Sequence, residues 1–167
     1  MFEDTVLLQQ SIGHAGYAAG QSEDGARRQA AQRFMHLHFE ALVQRMVGAL
    51  TGRRSRLRSL HSDVQQAQVQ SRRYAGLQSV PLRAIQGSEG RTTDFDGAFR
   101  PLRLHNQDRW VSVAAAQRRG VVLPPVDLVQ MGEVYYVRDG HHRISVARVL
   151  GQATIDAQVT MWRARGE

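Results

Sequence analysis

The sequence predicts an α+β fold, because stretches with helical periodicity alternate with short strand-like runs. Between residues 25 and 50, apolar side chains recur at the spacing of one helix face. The apolar runs at 126–130 and 134–137 are typical of paired strands, and Gly132 between them suits a hairpin turn. A further helical pattern follows at 144–150. The chain has 167 residues and 42% of them are hydrophobic, which is enough for one core with an appendage.

The N-terminal part of the chain is predicted to be a helical extension. Residues 1–24 contain several glycines and no sustained period, so we expect a flexible lead-in there. Residues 25–77 form a basic extension that holds the first helix and a second, more polar helix at 63–74. Ser62 and Gln65 have the spacing of a capping box at the start of that second helix. Its glutamines place it at a surface.

A compact domain is expected at residues 78–162, followed by a short tail at 163–167. Its elements are a first strand at 80–85, a glycine loop at 86–91, a helix at 109–119 with Trp110 on its inner side, the two hairpin strands, the helix of 144–150 and a last strand at 154–159.

The segment 94–99 has some of the spacing of a calcium loop. It lacks the later oxygen ligands that such a loop needs, so a turn held by Phe95 and Phe99 is the better interpretation. No metal site is predicted from protein ligands alone.

Composition excludes several chemistries. The chain contains no Cys, and all 22 of its basic residues are Arg. Thiol catalysis, cysteine zinc sites, Walker-type phosphate loops and Schiff-base chemistry therefore lack their essential residue. There is no long apolar run and no secretion signal, so the protein is expected in the cytoplasm, away from membranes. The net charge of +7 indicates contact with an anionic partner.

The most informative segment is 134–151, which is predicted to run from a strand through a glycine turn into a helix. Asp139 and Gly140 form the turn, and His141, His142 and Arg143 occupy the first helical turn. A helix N-terminus carries unpaired N–H groups and a partial positive charge. Backbone and side-chain donors would therefore converge on a phosphate or carboxylate. An ordinary helix cap with solvated histidines is the alternative.

Within this segment, Asp139-Gly140-His141-His142-Arg143, followed by Ser145-Val146-Ala147 and Leu150-Gly151, resembles the glycine–x–x–arginine box of the ParB/sulfiredoxin superfamily. The resemblance extends over about residues 80–162 and includes the strand before the box and the short strand after it. It implies a small mixed sheet flanked by helices. In sulfiredoxins the residue after the box glycine is the catalytic cysteine. Here it is His141, which excludes sulfinic acid reduction.

The resemblance also implies roles for individual residues. In ParB proteins the box binds CTP, and a related serine kinase uses a similar Asp-Gly-His box for ADP or ATP. By this likeness Asp139 and Glu89 are candidate catalytic groups. The candidate phosphate-binding residues lie in the box and in the loop that would face it across the ligand: Gly140, His141, His142, Arg143, Arg91 and Ser88. An ordinary polar turn is the alternative for residues 88–91. Magnesium would arrive with the nucleotide phosphates.

Two classes of function stay open. The first is a nucleotide-binding protein, either an NTP hydrolase or a small-molecule phosphotransferase. The second is a noncatalytic, DNA-associated module of the partition or regulatory type, although no helix-turn-helix domain follows the box. A nuclease is disfavoured because no carboxylate cluster suits two metal ions.

The second class depends on an arginine cluster in the extension. Seven Arg and one acidic residue lie between positions 44 and 73, and Arg53, Arg54, Arg56 and Arg58 are the candidate contacts to DNA phosphates. A solvated linker explains the same cluster. The N-terminal helices are also candidates for pairing two subunits into a homodimer.

Overall fold

The computed structural model describes residues 3–52 and 56–164, with side chains from residue 23 onward. Its helices and strands, in chain order, are α1 (Glu3–Thr51), β1 (Arg58–Ser59), α2 (Leu60–Ala67), β2 (Val69–Pro81), β3 (Ile85–Ser88), α3 (Gln107–Arg118), β4 (Val126–Met131), β5 (Val134–Asp139), α4 (His141–Val149) and β6 (Thr154–Ala164). Short 3-10 turns precede β3 and α3.

One mixed sheet of six strands organises the fold, in the order β1-β3-β5-β4-β6-β2. Strands β1, β3 and β5 are mutually parallel, β4 and β5 form the antiparallel hairpin, and β6 lies parallel to β4. The long strand β2 closes the far edge antiparallel to β6. The predicted α+β class, with a helical N-terminal segment, is therefore confirmed, and so is the hairpin.

Alternate side chains of the central strands enter two different cores. Leu128 and Val137 face α4, where Ile144 packs against them in the main core. Val129 and Tyr136 point to the opposite face, which α2 covers. This alternation follows from the two-residue period of a strand.

Helices α3 and α1 form further layers outside α4. Phe34 of α1 lies 5.9 Å from the ring of Trp110, measured between centroids, and both side chains are almost fully buried. The indole N–H of Trp110 donates to Ser145 Oγ of α4 at 2.9 Å. Trp110 thus ties the three helices together, on the inner side that the sequence predicts.

Residues 1–24 were predicted to be a flexible lead-in, but from Glu3 onward they are helical. Helix α1 begins at Glu3, well before Gly25. Ala, Leu and Gln are frequent in residues 3–22, and their high helix propensity opposes the cost of the glycines, about 1 kcal/mol each.

The predicted polar helix at 63–74 is wrong in its extent. Helix α2 ends at Ala67, and the chain continues as strand β2 after Gln68, whose φ is +47°. The expected capping box is absent too, since the N-cap is Ser59 and its side chain makes no capping hydrogen bond. Pairing of β2 with β6 along nearly its whole length outweighs local helix propensity.

The predicted first strand at 80–85 is also divided. Residues 82–84 form a 3-10 turn between β2 and β3, and Arg148 of α4 donates hydrogen bonds to the carbonyls of Leu82 and Ile85. Strands β1 and β2 begin before residue 78, so the sheet takes part of its structure from the extension. The turn held by Phe95 and Phe99 is confirmed, since both rings are buried 6.3 Å apart.

Helices long and apolar enough to cross a membrane are absent from the part of the chain that the structure describes.

Candidate functional site

The site lies where β3 and β5 end side by side. These strands are parallel, so their carboxyl ends share one edge of the sheet, where Ser88 ends β3 and Asp139 ends β5. Helix α4 begins directly after this edge. The topology thus places the loop at 88–91 beside the box, which is the arrangement that the resemblance implied.

Gly140 makes the turn between β5 and α4. Its φ is +97°, in the left-handed region that favours glycine. A Cβ at this position would lie 2.5 Å from Val126 Cγ1 and 2.9 Å from Val126 Cβ. The turn therefore requires glycine for its conformation and for the close approach of β4.

A buried hydrogen-bond network joins Ser88 to His141. Ser88 Oγ accepts the backbone N–H groups of Gly90, at 3.3 Å, and Arg91, at 2.9 Å. Its own proton is then available for His141 Nε2, 2.8 Å away. The network assigns the neutral tautomer in which Nδ1 carries the ring proton of His141.

Both box histidines are held neutral. Burial, followed by the positive charge of Arg91, lowers the pKa of His141 from 6.5 to about 4. The pKa of His142 falls to about 4 for the same two reasons, with a smaller effect from Arg109. His142 is only 7% exposed, and its Nδ1 has no hydrogen-bond partner among the described residues. A buried polar atom of this kind is suited to a ligand.

We predict an acid-dependent loss of stability from these pKa values. The unfolded histidines bind protons below about pH 6.5 and the folded ones only near pH 4. The free energy of unfolding is therefore expected to be unaffected by these groups above pH 6.5 and to fall between pH 6.5 and 4. The summed loss is on the order of 3 kcal/mol, at about 1.4 kcal/mol per pKa unit with an allowance for partial solvation.

Urea unfolding at several pH values measures this effect. His142→Phe removes one titrating group, so its stability is expected to fall less steeply than that of the wild type in the same window. If the free energy of unfolding falls equally with pH in the wild type and in His142→Phe, the loss of stability does not come from the histidines.

Arg143 makes hydrogen bonds within the protein that the sequence did not predict. Its guanidinium donates to the carbonyls of Pro124 and Pro125 and to the carboxylate of Asp139, and its side chain is only 14% exposed. It anchors the segment before β4 to the box. Any contribution to a ligand comes from the edge of the guanidinium that lines the cavity.

The two candidate catalytic carboxylates are both ion-paired. Asp139 binds Arg143 at 2.8 Å and keeps 71% of its side chain exposed. Glu89 binds Arg138 at 3.0 Å, and Arg138 also lies 3.8 Å from Asp127. Asp139 is exposed at the mouth of the site, whereas Glu89 does not line it.

A cavity of about 510 Å³ opens over the start of α4. Besides the box, its walls contain Arg91, Arg109 and Arg138, along with apolar side chains that include Val113 and Leu123. Within the described residues, Arg109 has no ion pair, and Arg91 has only a long one of 3.9 Å to Asp94. Ser88 is fully buried and does not line the cavity, so its connection to the site is the hydrogen bond to His141.

Sequence reasoning missed Arg109 and Arg138 as parts of this site. Arg109 is distant in sequence and joins the cavity only because α3 packs on α4. Arg138 directly precedes Asp139, so its place at the strand end was a usable signal.

The arginine cluster of the extension is only partly described. Arg53 and Arg54 lie outside the described residues. Arg58 binds Asp63 at 3.0 Å and stacks over Tyr136, so it faces the protein's own acid. Arg56 lines a second cavity, of about 550 Å³, together with Arg45 and Arg103. Arg56 and Arg58 therefore have different surroundings, and only Arg56 lines this cavity.

Comparison with known proteins finds similar chains among solved structures only. No family model matches the chain, and no curated protein matches it in sequence. Among solved structures the chain is similar to sulfiredoxin from Arabidopsis thaliana, with 23% identity, a TM-score of 0.38, and coverage of 50% of this chain and 82% of that one.

Proposed function

We propose that the cavity over the start of α4 binds the phosphate groups of a nucleotide. The observation that carries this proposal is the charge of its walls, where the described residues include four arginines and a single carboxylate, Asp139. Arg109 in particular has no acidic partner among the described residues. The guanidiniums of Arg109 and Arg91, the second held only by a 3.9 Å ion pair to Asp94, lie beside a helix N-terminus and favour a multiply charged anion.

The histidines support the same chemistry. Because His141 and His142 are neutral at physiological pH, they add hydrogen-bond donors without adding charge. The Nδ1 proton of His141 is the donor left free by Ser88. A volume near 510 Å³ falls in the range of small-molecule sites, and the apolar wall at Val113 and Leu123 is suited to the rest of the ligand.

We further propose that a nucleotide bound in this cavity is turned over. Asp139 is the exposed carboxylate at the cavity, so it is the group we assign to a reacting hydroxyl or water, or to magnesium that arrives with the phosphates. Its ion pair with Arg143 fixes the carboxylate at the start of α4. Asp139→Asn is the variant that separates binding from turnover, since it keeps the shape and removes the charge.

A ligand panel tests the proposal directly. Thermal unfolding is measured with pyrophosphate, CTP, ATP, ADP and GTP, each with and without magnesium. A ligand present at a hundred times its Kd stabilises the native state by about 2.7 kcal/mol, which raises Tm by several degrees. Unchanged Tm values with every ligand at millimolar concentration would contradict the proposal.

A second candidate function is contact with nucleic acid phosphates at the cavity around Arg56. Arg45, Arg56 and Arg103 line it without an ion pair to any described residue, and its one acid, Asp96, is bound by Arg100 at 2.8 Å. This leaves the lining with excess positive charge. Such a site binds the backbone and does not read sequence.

Salt dependence distinguishes this second function. Arg56→Gln combined with Arg103→Gln is expected to lower the log–log salt slope of duplex DNA binding by up to about 1.8, or 0.9 per lost contact. Arg58→Gln is the matched control, because Arg58 is already paired with Asp63 and we expect a smaller change. Equal slopes for the double variant and the wild type would reject this function.

A further inference from the structure

Helix α1 has two apolar faces. The first packs on α3 through Ala30, Phe34 and Leu37. The second, which we call the outer stripe, is exposed. It consists of Met35 (46% exposed), Phe39 (66%), Leu42 (37%), Val43 (39%), Met46 (68%) and Leu50 (87%). An amphipathic helix on a monomer has one apolar face, so a second face indicates a second packing partner.

The outer stripe is a single narrow band. At about 100° per residue, its six side chains fall within about 50° of one line along the helix. The buried positions, such as Leu37 and Ala41, fall on the opposite side. The charged residues Glu40 and Arg45 lie at its margins, so the band itself is free of charge.

The outer stripe is also symmetric about a point between Leu42 and Val43. Positions 35 and 50, positions 39 and 46, and positions 42 and 43 lie at equal distances on either side of that point. A two-fold axis perpendicular to the helix at this point would place Met35 against Leu50 of a second copy, and Phe39 against its Met46. Leu42 would meet its Val43. Each large side chain then has an apolar counterpart, which is the self-complementarity of an isologous contact.

We propose that the protein is a homodimer in which two α1 helices pair antiparallel through the outer stripe. The apolar area is sufficient for this partner. Six half-exposed large side chains expose on the order of 500 Å², a major part of the roughly 800 Å² per partner in a standard interface. The polar margins of the two helices contribute the rest.

The geometry leaves the proposed ligand site free. The outer stripe points away from α3, so the second copy lies on the far side of α1 from the cavity over α4. Each α1 would then be covered by its own domain on one face and by its counterpart on the other. Dimerisation is thus independent of the proposed function.

Molar mass in solution tests the pairing. Size-exclusion chromatography with light scattering at 10–100 µM is expected to give twice the 18.7 kDa chain mass for the wild type. The double variant Phe39→Glu/Met46→Glu is expected to be monomeric at the same concentrations, with unchanged far-ultraviolet circular dichroism. Val122→Glu, at a residue that is 94% exposed outside α1, is the control and is expected to stay dimeric. A monomeric wild type, a larger oligomer or a dimeric double variant would overturn the proposal.

Cross-linking tests the direction of pairing, because the chain has no native Cys. In the antiparallel arrangement, Phe39 and the same residue of the second copy are about 10 Å apart along the axis, too far for a disulfide. An oxidised mixture of the Phe39→Cys and Met46→Cys proteins is expected to give the mixed disulfide. Disulfides formed by Phe39→Cys with itself alone would indicate parallel pairing and overturn the proposed symmetry.

Discussion

Replacing Gly140 with Ala is expected to lower the free energy of unfolding by about 2–5 kcal/mol. A left-handed backbone costs a non-glycine residue roughly 1–2 kcal/mol, and the φ of Gly140 is +97°. The added methyl group would also lie within 3 Å of Val126, on a central strand that cannot easily move. Overpacking of this kind costs about 1–3 kcal/mol more. The box turn is therefore a point where one methyl group is strongly destabilising.

Chemical denaturation of the wild type and Gly140→Ala measures this effect. Gly90→Ala is the matched control, because a Cβ there would have no neighbour within 4 Å and the residue has no left-handed φ. We expect the control to be within about 0.5 kcal/mol of the wild type. Similar stability for the two variants would show that the turn tolerates a side chain.

The double variant Arg91→Gln/Arg109→Gln is expected to lose at least a hundredfold in affinity for whichever phosphate ligand the panel identifies. A charge-assisted hydrogen bond contributes about 1.5–3 kcal/mol, so each arginine accounts for roughly ten- to a hundredfold. Both side chains are exposed, and within the described part of the chain only Arg91 has an ion pair, at 3.9 Å. Folding stability should therefore change little.

Calorimetric titration with a charge-matched control distinguishes an effect of the arginines in the cavity wall from an effect of the protein's net charge. Arg73→Gln/Arg83→Gln makes the same change of net charge at exposed positions outside the cavity. We expect this control to bind the ligand with nearly wild-type affinity. If both double variants lose affinity equally, the cavity does not bind the phosphate. The proposed function would then fail, whereas the homodimer would be unaffected.

Short-range sequence patterns correctly predicted the elements at the centre of the domain. The hairpin at Gly132 and the turn at Gly140 follow from the left-handed conformations that glycine adopts, and both are present with φ of +59° and +97°. Helix α3 follows from its period and buries Trp110 as expected. These features depend on neighbours within a few residues, so the sequence pattern was sufficient.

Local signals failed where distant pairing decides the structure. Residues 69–74 have a helical pattern, yet they form the start of β2 because β6 lies beside them. This outcome does not depend on the neighbours of these residues in sequence.

The sequence by itself determined the class of fold, the glycine turn and the residue types available for chemistry. Because no Lys or Cys is present, Arg, His and backbone N–H groups must bind any phosphate. Only the tertiary structure decided which arginines are available. Packing turns Arg143 toward the Pro124 and Pro125 carbonyls and Arg58 toward Asp63. The docking of α3 on α4 brings Arg109 to the cavity, where it has no ion pair with any described residue. The physical reason is that a guanidinium binds whichever acceptor lies nearest in space, and spatial proximity here is set by contacts between elements far apart in sequence.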